Sequence, residues 1–364
     1  MARRYGGSLD KTICFATAAL LLLGVLFLYS ATYNMTPEFS KSLLLKHVLR
    51  AVIGILCLLM IVGIDYQRII DASYVIYAVN VFLLVMLLFM GDVRLGAQRW
   101  FAIGGLTVQP AEFIKISLIL ALAAYIGHKR QQMDDPGSLA APFALAAVPF
   151  FLIVAQPDLG TALLLLPILL AMLFIGGSAL RHLCVISGLG IMSMPLFWRF
   201  LRDYQKDRLL VFINPNVDPL GAGYTIIQSK IAVGSGGLFG KGWLSGTQSQ
   251  FNFLTERHTD FIFSVVGEEW GFVGSMVLVA LYLLIILRAF SILNSTNDIY
   301  GKLIVAGVIS LLSVQVFVNL GMAIGIMPVV GLPLPLISYG GSSLIATLIA
   351  IGLLLNIGLR RSIF

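Results

Sequence analysis

The chain has 364 residues, of which 59% are hydrophobic and only 11% charged, with a formal net charge of +7. Soluble domains carry roughly 25% charged residues, so this composition excludes a water-soluble enzyme or binding module and places most of the surface in a bilayer. The basic excess then speaks first to orientation in the membrane, and no nucleic-acid partner is expected. Cys14, Cys57 and Cys184 sit inside apolar runs without metal or redox spacing and read as packing residues.

In chain order, apolar runs long enough for ~30 Å of hydrocarbon lie near residues 12–33, 46–64, 69–90, 111–127, 140–156, 159–176, 180–198, 261–288, 302–326 and 339–359. The first follows Arg3, Arg4 and Lys11, but its length and the lack of a clear cleavage site make it a retained span. Gln156-Pro157-Asp158 separates the fifth and sixth as a tight hairpin. Ten spans put both termini on one side, together with Arg68, Lys129, Arg130, Arg181, Arg288, Lys302, Arg360 and Arg361, and the positive-inside rule makes that side the cytoplasm. The expectation is a single-domain (1–364), all-α, multi-pass protein of the cytoplasmic (inner) membrane, with one long external segment, 199–260, between helices seven and eight.

That segment carries Arg199, Arg202, Lys206, Arg208, Lys230, Lys241 and Arg257. Long loops escape the positive-inside rule, so these residues read either as a solvated face or as a site for an anionic ligand outside. YTIIQSKIAVGSGG predicts a short helix with Gln228 and Lys230 on its polar side. The following GLFGKG lacks the first glycine and the Ser/Thr of a nucleotide-binding phosphate loop, as well as a preceding strand. Asp260 falls where ERHTD meets the next apolar run. It suits a helix N-cap, and equally a base whose pKa desolvation raises. Arg257 and His258 flank it, and His258 is a second titratable candidate.

Charges at outward helix ends of a membrane protein are site candidates by default. Glu112 and Lys115 stand three apart on one helical face and can pair. Asp158 has the place of a helix cap. Glu268 and Glu269 lie two turns below Asp260, ~12 Å along a helix, too deep for the same substrate atom. GIMPVVGLPLPLISYGGSS reads as broken backbone lining a cavity.

The stretches QPDLGTA (156–162), DPLGAGYTIIQSKIAVGSGGLFGKGWLSGTQSQFNFLTERHTDFIF (218–263) and MPVVGLPLPLISYGGSS (327–343) resemble the signatures of the SEDS family, and the second is most similar to its elongation members. The resemblance extends from GAQRW (96–100) to the last span. It implies a peptidoglycan glycosyltransferase that polymerises lipid II at the outer face of the membrane during cell elongation, partnered by a class B penicillin-binding protein. The family's essential aspartate falls on Asp260, and its glutamate and lysine on Glu112 and Lys115. A basic residue at the outer end of the second helix is also typical, and both Lys46 and Arg50 fit that place. Attack by a sugar 4-hydroxyl on an α-linked donor to give a β linkage inverts the anomeric centre, so one base, Asp260, suffices. Substrate contacts are then expected from Glu112, Lys115, Lys46 or Arg50, Gln228, Lys230, Lys241, Arg257, His258 and Asp158. The resemblance admits a divalent cation (Mg or Mn), although no DxD motif lies outside. The rival reading of the same charges is a lipid II flippase, against which stand the lack of an inverted repeat and the clustering of charge toward one face.

Overall fold

In hydrocarbon an apolar run satisfies its backbone only as a helix, and the computed structural model follows that rule. It describes residues 9–94, 97–103, 106–201, 203–218, 221–251 and 253–360. Arg3, Arg4, Arg202 and Arg361 of the charge pattern, and Gly96, Pro219, Leu220 and Asn252 of the quoted stretches, lie outside the described residues.

The helices are α1 (Lys11–Thr32), α2 (Pro37–Gly63), α3 (Tyr66–Asp71), α4 (Ser73–Met90), α5 (Pro110–His128), α6 (Ala140–Ala155), α7 (Leu159–Ile175) and α8 (Leu180–Phe197). After them come α9 (Asp203–Ile213), α10 (Ala222–Ser235), α11 (Thr247–Gln250), α12 (Ile262–Ser295), α13 (Ile299–Ile324) and α14 (Gly341–Arg360). Among the described residues, eight helical stretches are long and apolar enough to span a membrane, and the shorter apolar helices Leu159–Ile175 and Leu180–Ser193 stand where the sixth and seventh spans are expected. The chain is thus a multi-pass, helical membrane protein. Helix α2 begins at Pro37, ahead of its apolar run, because proline suits the first helical turn and the polar residues before 46 extend the helix beyond the apolar stretch.

Helices α5, α13 and α14 form the enclosed centre, while α2 and α4 turn large apolar side chains such as Met60, Phe82 and Phe89 outward. Small residues set the closest approaches: a Cβ on Gly24 of α1 would lie 2.6 Å from the Leu336 carbonyl oxygen, and one on Gly54 of α2 only 2.4 Å from Leu348 Cδ1 of α14. At the end of the bundle holding the termini, Asp10 caps α1 and pairs with Arg288 of α12 at 2.6 Å.

Two features depart from the sequence expectation. Residues 92–108 carry a small antiparallel meander of β1 (Asp92–Arg94), β2 (Ala97–Ile103) and β3 (Leu106–Val108). And the eighth span is not one helix: α12 breaks at Gly271 (φ 65°, ψ −157°). In an intact helix the N–H groups of Phe272 and Val273 would donate to the carbonyls of Glu268 and Glu269. Instead they donate to Gly237 and Leu238 (2.9 and 3.0 Å), while those carbonyls accept from Lys241 and Gly242 (both 3.0 Å). The 237–242 loop is spliced into the helix, and every interrupted bond is replaced. Its glycines are required by this close approach, since a Cβ on Gly240 would lie 2.1 Å from the Glu269 carbonyl oxygen. The GLFGKG backbone is therefore occupied by α12, which leaves no role for it as a phosphate cradle.

Candidate active site

At the end of the bundle opposite the termini, the prolines of 328–335 prevent α13 and α14 from joining, and side chains of α13 hold the freed backbone. Asn319 Nδ2 donates to the carbonyls of Leu332 (2.7 Å) and Asp260 (2.9 Å), and Gln315 Nε2 donates to that of Pro333 (3.0 Å). The Tyr339 N–H donates to the His258 carbonyl at 2.8 Å. The proline segment and the 256–260 turn are thus one rigid unit, and Asp260 sits on it.

Asp260 does not cap α12: Phe261 takes the N-cap position with no side-chain cap. Its carboxylate instead faces Gly331, whose left-handed backbone (φ 75°) leaves the space open; a Cβ there would meet Asp260 Oδ2 at 3.6 Å and Arg208 Nη1 at 3.9 Å. Arg208 Nη1 donates to the Val329 carbonyl at 3.3 Å. Burial raises the Asp260 pKa to about 6; the Glu256 and Asp158 carboxylates push the same way, and Arg208 and Arg99 oppose them. A carboxyl poised there switches between acid and base near neutral pH.

Asp158 is both a cap and part of the site. Its Oδ1 accepts from the Thr161 N–H (3.3 Å), its Oδ2 from Thr161 Oγ1 (3.0 Å) and Gln109 Nε2 (3.2 Å), and Arg99 lies 3.8 Å away. A cavity of about 40 Å³ lies between Arg99, Asp158, Gly160, Gln205, Arg208 and Val330, with room for a few water molecules. Below it on α5, Lys115 Nζ pairs with Glu112 Oε2 at 2.8 Å, both side chains almost fully buried. A larger cavity of about 600 Å³, beside Asp71, Tyr125, His128 and Tyr300, opens at the opposite end of the bundle, away from these residues.

The remaining candidates divide. Helix α2 buries Ser40, Leu43, His47, Arg50 and Gly54 along one stripe, so Arg50 points inward and Lys46 sits on the stripe's edge. His258 is half-buried beside Tyr339, and burial lowers its pKa, helped by Arg257 and opposed by Glu256. Two of the expected substrate contacts, Lys241 and Arg257, are engaged by the protein itself. Lys241 is bound to Glu268 and Thr247, both at 2.8 Å. Arg257 turns into the bundle, where its Nε donates to the Ala31 carbonyl at 2.5 Å. Lys230 lies over Gly325, exposed on α10, where the buried neighbour Ser229 bonds Ser264 Oγ and the Ala323 carbonyl, both at 2.6 Å. Gln228 is half-buried on the same helix. Arg99, Gln109, Asn319 and Tyr339 join the site although the sequence alone does not select them; Arg99 and Tyr339, each within a quoted stretch of family resemblance, carry a signal.

A half-buried carboxyl among arginines, at the rim of a helical bundle, defines a membrane protein with an acid–base site at one face. Residues 11–363 match the model of the FtsW/RodA/SpoVE cell cycle proteins, and the chain belongs to that family. It is 40% identical to the peptidoglycan glycosyltransferase MrdB of Escherichia coli strain K12 over 97% of this chain and 94% of that one. It is 37% identical to the peptidoglycan glycosyltransferase RodA of Treponema pallidum, with 97% and 98% covered. Among solved structures it resembles a chain from a peptidoglycan synthase complex that coordinates polymerization and crosslinking (TM-score 0.83, 36% identity, 97% and 98% covered). It also resembles the rod shape determining protein RodA of Thermus thermophilus (TM-score 0.72, 33% identity, 97% and 98% covered).

Proposed function

We propose that this protein is a peptidoglycan glycosyltransferase that polymerises lipid II at the outer face of the cytoplasmic membrane, with Asp260 as general base. The observation that carries this reading is the Asp260 carboxyl, carried on a turn whose backbone carbonyls at 260 and 258 accept from Asn319 Nδ2 and the Tyr339 N–H, with a pKa raised to about 6 and arginines beside it. The names of its relatives support polymerisation over flipping.

In the proposed reaction Asp260 takes the proton of the acceptor 4-hydroxyl as that oxygen attacks the donor's anomeric carbon. The bond from this carbon to the diphosphate breaks, and the lipid diphosphate leaves with the electron pair. Arg208 and Arg99 stand beside Asp260 and stabilise the developing negative charge. Lys115, neutralised by Glu112, tunes the field beneath them.

The donor set does not fit a protein-held divalent ion. Both Asp158 oxygens are engaged, and no group of three or more His, Cys, Asp or Glu suited to a metal occurs among the described residues. No step is therefore routed through one. The partner that fits is a class B penicillin-binding protein, by analogy with the synthase complex.

The test is to incubate purified protein with lipid II, with and without that partner, and resolve glycan strands on a gel. Wild type forms polymer and Asp260→Ala does not. Normal polymer from Asp260→Ala would overturn the catalytic assignment, and lipid II translocation without polymer would restore the flippase reading.

A further inference from the structure

On the other flank of the 256–260 turn lies a second polar cluster that the mechanism leaves unused. Arg50 stacks over Tyr339 with its guanidinium carbon 5.2 Å from the ring centre, and its Nη2 donates to Thr107 Oγ1 at 3.2 Å. The His47 and His258 rings lie 6.3 and 6.1 Å from the same tyrosine ring. His47 is 1% exposed, yet neither of its ring nitrogens has a hydrogen-bond partner, and the buried Nδ1 of His258 has none either. Arg50 is 5% exposed, and among the described residues no carboxylate lies within ion-pair distance of it. Position 341 is glycine where the guanidinium crosses: a Cβ there would sit 2.3 Å from Arg50 Nε.

A buried permanent cation with no carboxylate partner, beside imidazole nitrogens that have no hydrogen-bond partner, is costly in a membrane protein unless something anionic completes the cluster. The spacing says what it is. Thr107 of β3 holds Arg50, and Gln109, two residues on and still in extended backbone just past the strand, holds Asp158 beside Arg99. Residues two apart in a strand face the same way, ~7 Å from each other. The two cationic groups therefore stand side by side along this segment, and joining two lipid-linked sugars requires places for two diphosphates.

We infer that Arg50, His47, His258 and Tyr339 form a second anion subsite, which binds the diphosphate of the acceptor lipid-linked sugar while Arg99 and Arg208 face that of the donor. The inference rests on the polymerase reading above. The acceptor keeps its diphosphate throughout, so this cluster acts by binding and positioning: its loss raises KM for lipid II far more than it lowers kcat.

The test counts lipids. Native mass spectrometry of Asp260→Asn in mixed phosphatidylcholine and phosphatidylglycerol nanodiscs with added lipid II should show two lipid II molecules per protein, and Asp260→Asn carrying Arg50→Gln or His47→Asn should show one. Using both second-site variants keeps the test decisive if one of them misfolds. In the otherwise wild-type protein, His47→Asn should raise KM at least tenfold with kcat within about threefold. Two lipids retained in every variant, a single lipid in Asp260→Asn itself, or a phosphatidylglycerol molecule taken up in place of the second lipid II would each overturn the proposal. Failure of the polymerase reading would show separately, as wild-type protein that makes no glycan whatever its lipid stoichiometry.

Discussion

Lys241 Nζ lies 2.8 Å from Glu268 Oε1, and the two residues tie the 237–242 loop to α12 just before the helix breaks. Glu268 is fully buried and also accepts from the Thr247 hydroxyl (3.0 Å) and the N–H groups of Gln248 (2.9 Å) and Ser249 (3.3 Å), so its charge is distributed over one cation, one hydroxyl and two amides. Removing one member of such a pair strands the other, at a cost of about 3–5 kcal/mol when both are buried and less where the cation is partly exposed, as here. Lys241→Met should lower stability by about 2–3 kcal/mol in detergent unfolding, and Lys241→Met with Glu268→Gln should recover most of it. Full stability of the single variant with lost polymerisation would instead place Lys241 on substrate.

The splice itself depends on Gly271. A Cβ there would lie 2.3 Å from the Gly240 nitrogen, in a backbone conformation closed to other residues. Gly271→Ala should therefore displace the loop or restore a continuous helix. Limited proteolysis should cut between residues 236 and 250 in the variant and not in the wild type.

Glu112 and Lys115 offer a separation of structure from function. Lys115→Met leaves a buried carboxylate and should destabilise by about 3–5 kcal/mol, read as a lower melting temperature. The pair Glu112→Gln with Lys115→Met removes both charges and should melt near the wild type. If the doubly substituted protein also polymerises normally, the ion pair only makes two charges tolerable; polymerisation at least tenfold slower is expected.

Asp260 contributes to stability with a definite sign. Its folded pKa is raised from 3.8 to about 6, so the native state holds its proton more tightly than the unfolded chain and loses stability as pH rises across that window. Asp260→Asn removes the penalty. The variant should match wild type below pH 4, gain between pH 4 and 6, and keep above pH 6 an advantage of up to about 3 kcal/mol, measured as melting temperature against pH. An unchanged or lowered melting temperature at pH 7.5 would contradict the raised pKa.

The spans were legible because hydrocarbon admits only one backbone solution to an apolar run, and Asp260 because a carboxyl at the edge of such a run stands out against it. The stripe that buries His47 and Arg50 was also legible, from the 3–4 spacing of residues 40, 43, 47, 50 and 54. That pattern turns Arg50 into the bundle and leaves Lys46 at its edge. The break at Gly271 was not: glycine is common in spanning helices, and only the loop that replaces its lost bonds reveals the interruption. The internal bonds of Lys241 and Arg257 are hidden in the sequence for a related reason. Composition shows a basic loop but not which cations fold back onto Glu268 or the Ala31 carbonyl.

The most direct test of the central claim is the pH dependence of lipid II polymerisation by the purified protein with its partner at saturating substrate. A base that must be ionised, with a pKa near 6, predicts a rate that rises tenfold per pH unit below that value and levels off above it, while Asp260→Asn stays at background throughout. An acidic limb that is absent, or one that persists unchanged in Asp260→Asn, would show that this carboxylate does not accept the proton.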